Sequence, residues 1–225
     1  MSTTATRRYP DSKVEVRGFE ARHYDLVMDV ASLGSYGRFI EGSIRAMDIQ
    51  RGDRILDLGA GSGRNACIMR RHTGAEGEIQ GLDIGQEMMA RFRAQCGSYD
   101  NVQVAHHPID EDYRPETPFD KVFISFVLHG LPQPSRLKVL ANAHRALRPG
   151  GTFHVLDFGE MDPDRRALPI RWFFKYVECP YATDYMRRDW TALLGAAGFR
   201  VTGEKPYFWG LARLLTAEKI EAPEA

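Results

Sequence analysis

ILDLGAGSGRN, Ile55 to Asn65, sets three glycines at alternate positions directly after an apolar run. A strand that breaks into glycines and then enters a helix is the first βα turn of an open α/β sheet, where a ligand group meets the amides at a helix start. Spacing decides which ligand. A dinucleotide fingerprint carries its third glycine one position later, and here Asn65 and Ala66 follow Gly63 in a broken register. No Lys-Ser/Thr pair follows, which excludes the triphosphate loop. The glycines strip side chains from the turn so that something can lie against the backbone. A diphosphate is not required there, because a carboxylate or amino-acid group fits as well.

Outward from this turn the chain alternates. RILDLG (Arg54 to Gly59), EIQGLDI (Glu78 to Ile84), VQVAHH (Val102 to His107), KVFISFV (Lys121 to Val127) and TFHVLDF (Thr152 to Phe158) read as strands. Helices are expected over Arg64 to His72, Gln86 to Cys96 and Ser135 to Leu147, the last stopped by the Pro149 to Gly151 stretch. KVFISFV is nearly all apolar, as a central parallel strand covered on both faces must be. Strand–helix alternation implies a parallel sheet with right-handed crossovers.

After Phe158 the rhythm changes. Asp164 to Glu178 and Met186 to Ala197 look helical, and Phe199 to Tyr207 with Phe208 to Lys219 look like an antiparallel hairpin. The expected fold class is α/β: a doubly wound seven-stranded sheet, mostly parallel, with an antiparallel C-terminal hairpin strand. Upstream, Phe19, Tyr24, Val27, Met28, Val30, Phe39, Ile40, Ile44 and Met47 recur at helical spacing, broken by Gly34 and Gly37. Two short helices are expected within residues 18–50, behind a flexible tail over 1–17. Residues 18–225 form one domain in this reading, with 160–198 as a helical lid or substrate region.

Bulk composition narrows the function. Lys plus Arg equals Asp plus Glu at 30 each among 225 residues, so no global field draws the chain to nucleic acid. No apolar run spans a bilayer, and the polar start lacks a signal region, which points to the cytoplasm. Cys67, Cys96 and Cys179 form no CxxC pair. Reduced thiols are expected, with neither a disulfide framework nor a metal site. Adjacent His106 and His107 are read as strand-end residues.

Asp83 ends the strand in GLDI, 20 residues after Gly63. An acid there can accept both hydroxyls of a ribose, or it can serve as a cap or turn residue for the helix that follows.

ILDLGAGSG, GLDIGQEMM, FDKVFISFVLHGLP and HRALRPGGTFHVLDF, in that order, resemble a class I S-adenosylmethionine-dependent methyltransferase, with the Rossmann-like sheet that family uses. The likeness is nearest to the ubiquinone/menaquinone-biosynthesis C-methyltransferase branch and covers about Phe19 to Phe158. It implies S-adenosylmethionine as cofactor. It implies that Asp57, Gly59, Ala60, Gly61 and Gly63 surround its methionine part, and that Asp83 holds its ribose. Ile84 and Met88 would lie against the adenine, Ser125 and Phe126 near the methionine end, and Tyr24 would close over it. One departure is AHHPIDED, where Pro108 stands where the family often has an acid for the adenine amino group. Beside Ile109, Asp110 either substitutes for that acid or is a solvated loop carboxylate.

Methyl transfer is an in-line displacement that alignment accelerates. A base is needed only where the acceptor must lose a proton. His129, in FVLHGLP just past the fourth strand, is the best candidate for that base, against the alternative of a histidine hydrogen-bonded in a loop. Asp157, ending the fifth strand, either orients His129 or an acceptor, or caps a loop. Trp172, Phe173, Phe174, Tyr176, Tyr181, Tyr185 and Trp190 suit an apolar acceptor pocket or the packing of a lid. Arg165, Arg166, Arg171, Lys175, Arg187 and Arg188 suit an anionic head group, a membrane surface, or a solvated helix face. The expected function is methyl transfer to a small or lipid-like, partly apolar acceptor, by a monomer or homodimer with possible peripheral membrane contact. The alternative is a non-catalytic S-adenosylmethionine-binding sensor or partner subunit.

Overall fold

The computed structural model describes Ser12 and residues 36–166, 168, 171, 172, 174 and 179–220. Apart from Ser12, the expected tail lies outside the described residues, as do Tyr24, Phe173, Lys175, Tyr176 and most of the first expected helices. Helix α1 spans Tyr36–Arg45. Seven strands follow: β1 Arg54–Leu58, β2 Glu78–Asp83, β3 Val102–His106, β4 Phe119–Ser125, β5 Leu147–Phe158, β6 Phe199–Tyr207 and β7 Ala212–Lys219. Between them run α2 (Arg64–Thr73), α3 (Gln86–Cys96), α4 (Gln133–Ala146), α5 (Pro180–Met186) and α6 (Trp190–Ala196).

The sheet order is β3-β2-β1-β4-β5-β7-β6. β1 to β5 pair in parallel, and β7 runs antiparallel to both neighbours, β5 and β6. The chain winds outward from β1 to β3, returns to β4 beside β1, and winds out the other way. The reversal between β1 and β4 opens a crevice at the carboxyl ends of the strands, the usual ligand position in such sheets.

Two apolar layers cover the sheet. On one face Leu56, Leu58, Val122, Ile124, Phe153 and Val155 pack under Val139, Leu140 and Ala143 of α4 and Trp190 and Leu194 of α6. On the other, Ile55, Ile79, Phe123 and Leu156 meet Phe39, Ile40 and Ile44 of α1, Ala66 and Met69 of α2 and Phe92 of α3. Val122, Phe123 and Ile124 are buried in succession, as expected of a strand covered on both sides.

Several boundaries differ from expectation for local reasons. β4 ends at Ser125 because Phe126 turns into the left-handed region at φ 53. α4 passes straight into β5, which begins at Leu147 rather than Thr152 and carries the Pro-Gly-Gly stretch inside it. The expected helix Met186 to Ala197 is replaced by α5 and α6, because the Asp189 side chain caps a new helix by accepting from the Ala192 N–H at 2.8 Å. β7 starts at Ala212, since Phe208 and Trp209 form a turn with φ of 49 and 55. Asp164 to Glu178 opens with a 3₁₀ turn at Pro163–Arg165, and its described part is discontinuous.

The cysteine expectation is corrected too. Cys67 and Cys96 are joined by a disulfide, with Cα atoms 6.0 Å apart. α2 and α3 follow neighbouring strands and pack side by side, so cysteines 29 positions apart in sequence meet in space. Cys179 lies outside the bridge and is buried, its Sγ 3.9 Å from the His129 carbonyl.

Candidate active site

The glycine turn leaves β1 at the sheet's reversal point. Gly59 has φ 74, and a Cβ added there would stand 2.7 Å from the Val127 side chain, so the turn lies directly on the segment that follows β4. Gly63, at φ 85, starts α2 with the Phe92 ring 2.9 Å from where a Cβ would be. Any side chain at either position would collide and strain the backbone. Gly59 and Ala60 donate their N–H groups to the Leu82 carbonyl at 2.8 and 3.0 Å, which ties the turn to β2.

Asp83 ends β2 and faces this turn. Its Oδ2 accepts the Gly61 N–H at 2.8 Å, and its Oδ1 accepts the Gly85 N–H at 2.7 Å. It therefore serves as a turn residue before α3, and it also bridges the first two βα turns. A carboxylate has about four acceptor directions, so its amide bonds leave room for a ribose hydroxyl. Burial raises its pKa, against the amide bonds from Gly85, Gly61 and Ile84.

Asp57, the third residue of ILDLG, is buried, and its Oδ2 has no hydrogen-bond partner. Burial first, and the nearby Asp83 charge second, push its pKa up to about 7. A buried carboxylate oxygen with no donor, beside a turn stripped of side chains, fits the ammonium of an amino-acid group. Met88 reaches to 3.4 Å from a Cβ built on Gly61, and Ile84 lies between Asp83 and Gly85 in the same turn. Ile109 and Asp110 are both buried after β3, so Asp110 is not a solvated loop acid. Gly59, Ala60, Gly61 and Gly63 give their own N–H groups to the Leu82 carbonyl, Asp83 and the Ala60 carbonyl, so what this corner presents is the pair of carboxyls of Asp57 and Asp83 beside a glycine-rich backbone.

His129 lies in a 3₁₀ turn, Leu128–Gly130, just past Ser125 and Phe126 at the end of β4. Its Nδ1 is 2.7 Å from Asp157 Oδ1, and its backbone N–H donates to Asp157 Oδ2 at 3.2 Å. Asp157 Oδ1 also accepts the Phe158 N–H at 2.8 Å. The carboxylate therefore fixes ring and backbone at once. With Asp157 as acceptor, the ring proton sits on Nδ1 and Nε2 is the basic nitrogen. His129 is 9% exposed and Asp157 1%. The Phe158 and Phe126 rings lie 4.7 and 6.4 Å from the imidazole, and Phe174 meets Phe158 at 5.1 Å.

The aromatics of the 160–198 region divide. Phe174 joins this apolar wall, whereas Tyr185 and Trp190 are fully buried and stacked 4.3 Å apart as core. Of the arginines, Arg187 pairs with Asp162 and Asp164, and Arg188 with Asp184, while Arg165, Arg166 and Arg171 are exposed. His106 is exposed at the end of β3, and His107 rests against Tyr113.

Two buried charges escaped the sequence reading. Arg213 on β7 sits opposite Asp157 in register and pairs with Glu160. Arg136 on α4 is wholly buried behind His129. A signal existed for Arg136: it shares the apolar stripe of its helix with Val139, Leu140 and Ala143, where a charge demands a partner.

The fold is an open α/β sheet with two acids and a glycine turn at its reversal and a histidine–aspartate pair beside them. Residues 55–151 match the methyltransferase-domain family. The chain is 31% identical over 212 residues to a demethylmenaquinone methyltransferase of Geobacillus kaustophilus, covering 85% of this chain and 90% of that protein. It is 28% identical over 156 residues to the protein of that name in Lysinibacillus sphaericus, covering 69% and 65%. A SAM-dependent methyltransferase from Aquifex aeolicus superposes with a TM-score of 0.67 at 19% identity, covering 90% of this chain and all of that one, a likeness of fold. The chain belongs to the class I S-adenosylmethionine-dependent methyltransferases, in the menaquinone-type branch.

Proposed function

We propose that this methyltransferase methylates a ring carbon of a lipid-tailed quinol, with His129 as general base and Asp157 orienting it. The observation that carries the reading is the buried His129–Asp157 pair at 2.7 Å, two residues beyond the Val127 side chain that packs on Gly59. Asp57, Asp83 and the Gly59–Gly63 turn hold the cofactor, with Met88, Ile84, Ile109 and Asp110 toward its adenine. When bound there, S-adenosylmethionine supplies a methyl group already activated on a sulfonium. Nε2 of His129 takes the quinol hydroxyl proton, which raises electron density at the ring carbon; the carbon–carbon bond would form as the methyl–sulfur bond breaks, with neutral S-adenosylhomocysteine as the leaving group. The ring C–H proton then leaves, the hydroxyl is restored, and one proton is released overall. Asp157 stabilises the imidazolium in between. Phe126, Phe158 and Phe174 keep water from the reacting carbon and offer an apolar wall to the aromatic ring. The names of the relatives support a quinone-type acceptor.

An acceptor with a lipid tail resides in a bilayer, and we place a peripheral membrane contact at the β6–β7 turn. Trp209 there is 95% exposed, beside half-exposed Phe208. Antiparallel pairing of Phe158 with Ala212 brings this turn to the His129 edge of the sheet. Among the described residues no helix is long and apolar enough to cross a membrane, so the contact is at the surface. Flotation with anionic vesicles is expected to carry the protein and to fail in Trp209→Ala.

The test of the chemistry is turnover of labelled S-adenosylmethionine with a reduced demethylated naphthoquinone, set against phenols, amines and thiols. Product is expected from the quinol. His129→Gln should cut turnover by about 10²- to 10⁴-fold while affinity for S-adenosylhomocysteine stays unchanged. A normal rate in that variant removes His129 from the chemistry.

A further inference from the structure

The turn that carries His129 is gripped on two sides. Asp157 holds it from β5, and Arg136 holds it from α4. The Arg136 Nε donates to the Leu128 carbonyl at 2.9 Å, and Nη2 donates to the His129 carbonyl at 3.2 Å. The same Nη2 donates to the Tyr181 carbonyl at 2.7 Å, and Nη1 to Asp184 Oδ2 at 2.6 Å and Gln133 Oε1 at 3.2 Å. One guanidinium therefore joins two consecutive carbonyls of the His129 turn to the lid helix α5.

We propose that Arg136 is a positioning residue that couples the lid helix α5 to the orientation and proton affinity of His129; this rests on His129 being the base. An arginine this deep would cost several kcal/mol in desolvation if its donors lacked acceptors. A buried ion pair is weak as a stability device, since apolar residues of similar volume often do as well. What a flat fork of five donors offers, and neither an apolar residue nor a lysine can, is simultaneous fixing of several carbonyls in one plane. Here those carbonyls belong to the base itself, the residue before it, and the lid. Other charged or titratable groups in this region are Asp157 of β5, Glu160 just after it and Arg213 of β7, whose charges, like that of Arg136, act on the buried Tyr185 of α5, and the Cys179 thiol, 3.9 Å from the His129 carbonyl. Asp184 is also held by Arg188 at 2.7 Å, so the counter-charge of Arg136 is itself anchored to the lid.

Charge gives the proposal opposite signs in two variants. Asp184→Asn leaves the guanidinium uncompensated near His129 and disfavours the imidazolium. Arg136→Gln removes the cation, leaves Asp184, and favours it. The readout is ¹⁵N NMR of the histidine rings in the full chain, with the His129 signal assigned by its loss in His129→Gln. The His129 midpoint is expected to fall by about half a pH unit or more in Asp184→Asn and to rise in Arg136→Gln. Arg136→Lys keeps the charge and loses the fork. Its midpoint should stay near the wild-type value while quinol turnover falls about ten- to a hundredfold and S-adenosylhomocysteine affinity stays within about twofold.

Should Arg136→Gln fail to fold, Asp184→Asn decides the matter, because that acid is half-exposed. A folded Asp184→Asn with an unmoved midpoint overturns the coupling. So does a His129 that does not titrate between about pH 5 and 9 in any of these proteins. If the midpoints move as stated but His129→Gln keeps full turnover, the coupling stands and the assignment of His129 as base fails.

Discussion

Asp57→Asn offers a test in which both size and sign follow from the site. The wild-type carboxyl is buried, lacks a partner at Oδ2, and has its pKa raised from 3.8 to about 7. Between those values the folded chain keeps a proton on Asp57 that the unfolded chain has released. The unfolded state then binds fewer protons, so stability falls as pH rises through this window and levels off above about 7. At about 1.4 kcal/mol per pH unit, the span from 3.8 to about 7 amounts to about 4 kcal/mol. Asparagine has nearly the same shape and no charge. Any fixed cost of its amide group enters equally at every pH, so the difference between the two proteins isolates the titration. Urea unfolding of both, from about pH 4 to 8, should give curves that diverge by about 4 kcal/mol, with the variant gaining on the wild type as pH rises. Binding gives a second and opposite limb. A cofactor ammonium favours the ionised carboxylate, so wild-type affinity for S-adenosylhomocysteine should rise as pH passes about 7, and that rise should be absent in the variant. Stability curves that stay parallel across this range would refute the argument that Asp57 is a buried, protonated acid in the ligand-free protein.

The remaining predictions concern neighbouring groups. Asp83→Ala removes the acceptor of the Gly61 and Gly85 amides together with the ribose partner; calorimetry with S-adenosylhomocysteine should register a loss of at least about tenfold, from one or two charge-assisted hydrogen bonds. The same change should lower the Asp57 pKa, because the Asp83 charge helps to raise it. Cys67→Ser, or reduction of the wild type, opens a closed loop with a sequence separation of 29. Chain entropy sets the expected loss at about 3 to 4 kcal/mol, read as a lower urea midpoint, and no change on adding reductant would count against the bridge.

Much of the fold was legible because its signals are local. The alternating apolar strands and the glycine turn needed no knowledge of distant residues, and β1 to β3 lie within a residue or two of expectation. The misplaced boundaries fall where a single residue's conformation intervenes. Phe126 at φ 53 stops β4, and Phe208 and Trp209 break what looked like one long strand before β7. None of the three is a glycine, so composition gives no warning. The disulfide was hidden for a different reason. Cys67 and Cys96 stand in different helices, and their meeting depends on how α2 and α3 pack, which spacing in sequence does not encode. Arg136 was hidden in plain view: its burial shows only when the helix stripe is read for its exceptions rather than for its apolar members.

The two halves of the site sit on opposite sides of the strand reversal. Asp57 and Asp83 lie in the last two residues of β1 and β2, whereas His129 follows β4 and Asp157 is next to last in β5. Adjacent parallel strands in register, with Ser125 opposite Leu156, set the ends of β4 and β5 at one level, so residues 28 apart in sequence meet within hydrogen-bond distance. Gly59 against Val127 is where the halves touch. Substitutions at the ends of β1 and β2 should therefore act on cofactor affinity, and those at the ends of β4 and β5 on turnover. A larger residue at Gly59 is the exception that this arrangement demands. It would push the cofactor turn and the His129 turn apart together, so affinity and turnover should fall in the same variant, whereas Asp83→Ala and His129→Gln should each move mainly one.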